Sequence, residues 1–94
     1  MTKTLKILSL GSIVATPGSL QVLGEAGISP VELPSRHARG DWGDLSAHDR
    51  KVNREAIRLG YRVLSSYTLS TSERIGIITE ASREVTTILL PDEY

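Results

Sequence analysis

The chain has 94 residues, with eleven basic and eleven acidic side chains, two histidines and no cysteine. A chain of that length makes one domain with one core, buries roughly 60–65% of the surface its unfolded form exposes, and has no room for a separate catalytic domain. Balanced charge provides no overall field to steer nucleic acid or an anionic membrane, and the lack of cysteine excludes disulfides, thiolate catalysis and cysteine-based metal sites.

The opening MTKTLKILSLGSIVA is interrupted by Lys6, Ser9, Gly11 and Ser12, too often for a secretory core. No apolar run approaches the ~20 residues of a membrane-spanning helix. The expectation is a soluble, cytoplasmic, single-domain protein spanning residues 1–94. In the lead TLKILSLGSIVAT, Leu5 and Ile7 alternate with Lys6, and Ile13-Val14 follow a glycine. This predicts one strand with a bulge at Gly11.

Three helices follow. Thr16-Pro17 is an N-cap with proline at the first helical position, where its missing N–H costs nothing. Leu20, Leu23 and Val22 supply the apolar face, and Gly27 ends the segment. Ser29-Pro30-Val31-Glu32 has the form of a capping box. Pro34 inside the second helix makes that helix short or kinked. Ser46-Ala47-His48-Asp49 caps a third helix, with Leu45 as a hydrophobic staple. Val52, Ala56 and Leu59, widened by Ile57, predict its buried stripe, and Gly60 closes it. Asn53 falls close to that stripe. If buried it must be hydrogen-bonded, to the Trp42 loop or a strand edge.

The remainder is β. YRVLSSYTL, RIGIITEA and VTTILLP are rich in strand formers and are separated by the turns STSE and ASRE, which predicts an antiparallel meander. With the lead strand this is a two-layer α+β fold: three short helices packed on an antiparallel sheet of about four strands.

Residues 36–45, RHARGDWGDL, carry the densest chemistry. His37 and Asp41 have the makings of an acid–base pair, with Arg36 or Arg39 to stabilise an anion. They equally suit a structural loop. His37 would lie at a helix end, where a cation favours the dipole. Gly40 and Gly43 let the backbone turn, and Asp41 or Asp44 bond backbone amides. Trp42, in a chain without phenylalanine, would anchor the bend by a burial of roughly 2–3 kcal/mol. The residues favour the anchor. His48, His37, Asp41, Asp44 and Asp49 show no metal-ligand spacing, and neither a P-loop nor a dinucleotide fingerprint is present, so no metal or cofactor is expected. Residues 36–62 hold seven basic side chains against four acidic ones: Arg36, Arg39, Arg50, Lys51, Arg54, Arg58 and Arg62 face Asp41, Asp44, Asp49 and Glu55. That mildly basic face either touches phosphate or is simply solvated, with Glu55 pairing Lys51 or Arg58. On the sheet, Arg62, Tyr67, Glu80, Arg83 and Thr87 would collect on one face, to hold an RNA strand or to face water.

The stretches LGSIVATPGSLQVL and SPVELPSRHARGDWGDL, then Asp49 and Asn53, then YRVLSSYTLS and IITEASREVTTILLPDEY, resemble a family of small proteins. These are carried on plasmids, integrative elements and phages of proteobacteria. The likeness runs from Leu10 to Tyr94, and RH-x-x-GDWG and ITEA-x-R-x-x-TT-x-LLP are its specific motifs. Members often bear a label naming a type I restriction-modification subunit. A methyltransferase needs a full α/β cofactor domain, which this chain cannot supply. The resemblance therefore implies a mobile-element context and no particular chemistry. The chain departs from the pattern at Pro34, where a leucine-like residue is expected, and at Gly76, where a bulky apolar residue such as tryptophan is expected.

Two functions stay open. One is a non-enzymatic protein that binds a host defence effector such as a CRISPR complex. It would dimerise or bind through a strand edge or the RHARGDWG loop, using Arg36, His37, Arg39, Asp41, Trp42, Arg50 and Arg54. The other is a small metal-independent ribonuclease, laid out like barnase or a ribosome-dependent toxin. There His37, Arg62, Tyr67, Glu80 and Thr87 would supply base, acid and cation. A DNA-binding repressor is weaker, because no helix-turn-helix spacing is clear.

Overall fold

A computed structural model describes residues 7–94. The order is β1 (Ser12–Ala15), α1 (Pro17–Glu25), α2 (Glu32–Ala38), α3 (Ala47–Leu59), β2 (Val63–Thr68), β3 (Arg74–Thr79), β4 (Val85–Leu89) and a closing 3₁₀ turn, Pro91–Glu93. β2, β3 and β4 form the expected antiparallel meander. β1 joins beside β4, and that pairing is parallel. The sheet order is therefore β1-β4-β3-β2, with β1 and β2 at the edges. Three helices on a four-stranded, mostly antiparallel sheet make a small α+β fold. Among the described residues no helix is long and apolar enough to cross a membrane.

The lead differs from its expectation. Leu5 and Lys6 lie outside the described residues, and the strand proper is only Ser12–Ala15. Gly11 makes no bulge. It has φ +65°, and a Cβ there would lie 2.3 Å from the Glu84 carbonyl oxygen, so the chain turns into β1 hard against β4. Ile7 and Leu8 instead donate their amides to the Ala38 carbonyl at the end of α2.

The helix caps are local chemistry. Thr16 accepts from the Ser19 amide and opens α1, with Pro17 in the first turn. Ser46 accepts from Asp49 N–H and opens α3, which Gly60 ends in the left-handed conformation. The capping box expected before α2 does not form. The Ser29 hydroxyl accepts only from the Val31 amide, at 3.4 Å, and the cap residue is Val31. Pro34 is buried at the third position of a seven-residue helix. Its missing N–H falls among the four amides that a helix leaves unpaired, so α2 is short without being broken.

Alternation places Val63, Ser65, Tyr67, Ile75, Ile77, Thr79, Thr86 and Ile88 on the helix-facing side of the sheet, and all are buried. One apolar cluster joins Leu23 and Leu33 to Tyr67, Ile75, Ile77 and Ile88. A second joins Leu8, Leu10, Ala38, Trp42, Ala56 and Val63. The buried line of α3 runs through Asn53 and Ala56, with Ile57 half-buried. The expected stripe is corrected accordingly, since Val52 and Leu59 are exposed. The reason is the Asn53 amide: its Nδ2 donates to the Leu64 carbonyl at 2.6 Å and its Oδ1 accepts from Leu64 N–H at 3.2 Å. A buried amide satisfied at both ends turns the helix toward β2. On the opposite sheet face, Gly76 lies under Tyr94. A Cβ at position 76 would come within 1.8 Å of the tyrosine oxygen, so the C-terminal ring takes the space that a bulky residue there would need. Glu93 fastens this end by accepting from Leu90 N–H and from the Thr16 hydroxyl.

Candidate functional site

The RHARGDWGDL segment runs from α2 to α3 along the outer edge of β2. The Ser66 amide donates to the Trp42 carbonyl at 3.2 Å, and the Asp44 amide donates to the Ser66 carbonyl at 2.7 Å. Gly43 thus forms a one-residue parallel bridge with Ser66. It has φ +74°, and a Cβ would stand 2.1 Å from the Ser66 oxygen. Only glycine fits that approach. Trp42 is 3% exposed and packs into the second apolar cluster. Its indole N–H has no acceptor among the described residues, so the ring contributes by burial alone.

His37 comes from the last turn of α2 and is 0% exposed. Its ring joins a chain of buried hydroxyls. Thr86 Oγ1 donates to the Leu10 carbonyl at 2.7 Å. That uses its only proton, so Thr79 Oγ1 donates to Thr86 Oγ1 at 2.7 Å. Thr79 then accepts from His37 Nε2–H at 3.0 Å, and the bare Nδ1 accepts from Ser65 Oγ. Each hydroxyl carries one proton, so this order fixes the neutral Nε2–H tautomer. Burial pushes the imidazole pKa down to about 4, and the nearby positive charge of Arg83 acts in the same direction. The chain of bonds ties the lead segment, α2, β2, β3 and β4 together around an uncharged ring.

The other loop residues are also committed. Arg36 forks onto Asp41, Nε to Oδ2 at 2.7 Å and Nη2 to Oδ1 at 3.2 Å. That bond holds the Asp41 carboxyl below its ordinary value and raises Arg36. The guanidinium lies 4.8 Å from the centre of the Tyr67 ring. Tyr67 donates its hydroxyl to the Asp41 carbonyl at 2.7 Å, and burial raises its pKa to about 12. Arg50 donates to the carbonyls of Gly43 and Leu45 from the first turn of α3. Arg39 and Arg54 are exposed and form no ion pair among the described residues.

The five residues considered for RNA cleavage are not gathered. His37 and Tyr67 point into the helix-facing layer, whereas Thr87 lies on the opposite face beside Ile78. The expectation that Tyr67, Thr87, Arg62, Glu80 and Arg83 share one face is therefore corrected by the strand register. Arg62 and Glu80 do meet, as an exposed ion pair at 3.1 Å. Arg83 is turned by its φ of +63° and donates to the carbonyls of Ala56, Tyr61 and Glu80. It thereby caps the end of α3. No group of three or more histidine and acidic side chains suited to a metal ion occurs among the described residues.

Sequence reasoning missed Ser65 and Thr79 as partners of His37, and Thr86 as the partner of Thr79. A signal was present. Each stands on the apolar-facing parity of its strand, in Val63-Ser65-Tyr67, Ile75-Ile77-Thr79 and Thr86-Ile88, where a hydroxyl needs a buried polar neighbour.

What remains open is surface. The solvent side of α3 and the turn after it line a cleft of about 380 Å³, formed by His48, Lys51, Val52, Glu55, Ala56, Tyr61 and Arg62. Val52 is 50% exposed and Tyr61 62%. Glu55 is neutralised by Arg58 at 2.6 Å, while Lys51 forms no ion pair among the described residues. Compared with family models, with curated proteins and with solved structures, the chain finds no match.

Proposed function

We propose that the chain is a non-enzymatic binding protein, acting in a reducing cytoplasm, that uses the open side of α3 to hold a protein partner. One observation carries this. His37 and Tyr67 are sealed in the core and Arg36, Asp41, Arg62 and Glu80 are spent on ion pairs, whereas exposed Val52 and Tyr61 line one cleft beside a lysine without an ion pair among the described residues. Val52 and Tyr61 at its mouth, with Arg62 beside them, match the composition of protein interfaces, where tyrosine and arginine dominate the binding energy. An apolar anchor from the partner fits between Val52, Ala56 and Tyr61, with an acidic neighbour set against Lys51. The resemblance to mobile-element proteins supplies the class of partner: a host defence effector such as a CRISPR complex.

Size-exclusion chromatography with purified defence complexes tests this. The chain is expected to co-elute with one of them, and Val52→Asp, at an exposed position, to elute alone with an unchanged circular dichroism spectrum. Separate elution of the wild-type chain from every complex would contradict the reading.

A further inference from the structure

The two edges of the sheet are not treated alike. β1 pairs with β4 through the alternate residues Ser12, Val14 and Thr16, the Ser12 and Thr16 amides donating to Glu84 and Ile88. The amides and carbonyls of Ile13 and Ala15 therefore point away from the sheet, and nothing among the described residues bonds to them. Ile13 is 44% exposed and Val14 47%. The strand SIVA carries no charge, proline or bulge, the devices by which proteins blunt an open edge. Beside it, Leu10, Ile13, Val31, Pro34, Ser35, Ala38 and Arg39 line a groove of about 370 Å³ between β1 and α2.

We propose that this edge pairs with the β1 of a second copy of the chain, antiparallel, about a two-fold axis through Val14. The spacing is self-complementary. In an antiparallel ladder a hydrogen-bonded pair exchanges both its bonds, and such pairs recur every second residue. Ile13 against the second copy's Ala15, and Ala15 against its Ile13, satisfy all the outward groups with four bonds. The intervening Val14 residues meet as a close, non-hydrogen-bonded pair on the open sheet face. The two four-stranded sheets become one of eight strands.

Charge agrees with the same axis. Glu32 and Arg39 are seven residues apart, about two turns and on one side of α2, and neither forms an ion pair among the described residues. α2 runs against β1: Leu33 near its start shares a cluster with Ile88, the partner of Ala15, and His37 near its end bonds Thr79, which pairs with Thr86, the partner of Ile13. A two-fold axis that sets β1 antiparallel to its copy also sets α2 antiparallel to its copy. Glu32 of each then faces Arg39 of the other, with Val31 and Ser35 between them. Such an isologous contact closes on itself as a dimer. The pairing is independent of what α3 holds, because it requires no molecule other than this chain.

Sedimentation equilibrium of the purified chain tests it. The expected mass is twice the 10.2 kDa of one chain at high micromolar concentration. Val14→Lys puts like charges directly opposite each other on the axis. It is expected to weaken the dimer by roughly tenfold or more, with unchanged circular dichroism and with a melting temperature equal to that of the wild type at concentrations where both chains are monomeric. Glu32→Arg and Arg39→Glu should each weaken it, and the double exchange should restore it. A mass of one chain at every concentration up to millimolar overturns the proposal. So does a dimer indifferent to Val14→Lys, or a double exchange no tighter than either single one.

Discussion

Along β2 the outward N–H and C=O groups of Leu64 and Ser66 are all taken, the first pair by the Asn53 amide and the second by the backbone of Trp42 and Asp44. Along β1 those of Ile13 and Ala15 have no partner among the described residues. The closed edge uses the most chemical-looking residues in the chain. Arg36, His37, Asp41, Trp42 and Gly43 are spent on bringing a loop backbone to a strand and holding it there. The open edge uses four unremarked residues, Ser12 to Ala15. In this molecule a dense cluster of reactive side chain types builds the fold, and the edge left unpaired among the described residues is made of small and apolar ones.

The sharpest way to break the comparison is at the ring behind the closed edge. His37→Ala would empty a fully buried site, leave the Ser65 hydroxyl without its acceptor and take from Thr79 the donor that the ring supplies. The combined cavity and unsatisfied-group cost is roughly 4 kcal/mol, a large fraction of a small domain's stability. Urea unfolding followed by Trp42 fluorescence measures it. A loss under ~1 kcal/mol would show the ring to be expendable.

Acid titration probes the same ring without mutation. The unfolded histidine takes up a proton near pH 6.5, and the folded one refuses it until about pH 4. Stability is therefore full above pH 6.5, falls as pH drops through that window, and has lost roughly 3 kcal/mol from this group at its lower end. Asp41, held below its ordinary value by Arg36, stabilises the fold throughout this window and gives up that contribution only at pH below it. Unfolding free energies measured at half-unit steps should trace the histidine window, and His37→Ala should flatten it.

A smaller loss is expected from Gly43→Ala. The added Cβ meets the Ser66 carbonyl, so the bridge must open at a cost of about 2 kcal/mol. Amide hydrogen exchange at Ser66 and Asp44 should accelerate while that at Ile77 does not. Equal acceleration at both would mean that the loop and the sheet core open as one unit. The least effect belongs to Arg36→Gln. Its pair with Asp41 is solvent-accessible, and such pairs contribute about 0–1 kcal/mol. A larger loss in thermal melts would assign weight to its stacking on Tyr67.

Much of this was legible in the sequence. Thr16, Ser46 and Gly60 mark helix ends because caps are local, and the meander follows from alternation between two turn signals. The anchoring role of Trp42 follows from size and scarcity. Less legible was anything set by long-range register. The parallel pairing of β1 with β4 joins residues more than seventy positions apart, and nothing local encodes it. The polar face drawn through Tyr67 and Thr87 failed because strand parity across two turns was unknown. The stripe through Val52 and Leu59 failed because apolar periodicity counts an asparagine as polar; Asn53 was legible only as a neighbour of the stripe, and here both ends of its amide are satisfied by one residue of a strand.

The central claim is that His37 is a sealed, neutral, structural ring. Long-range proton–nitrogen correlation spectra of the nitrogen-labelled chain test it most directly, because they identify the tautomer and follow protonation at each ring nitrogen. The account predicts a proton on Nε2, a bare Nδ1, and no titration until the pH nears 4. A ring that titrates near 6.5, or that carries its proton on Nδ1, would contradict it.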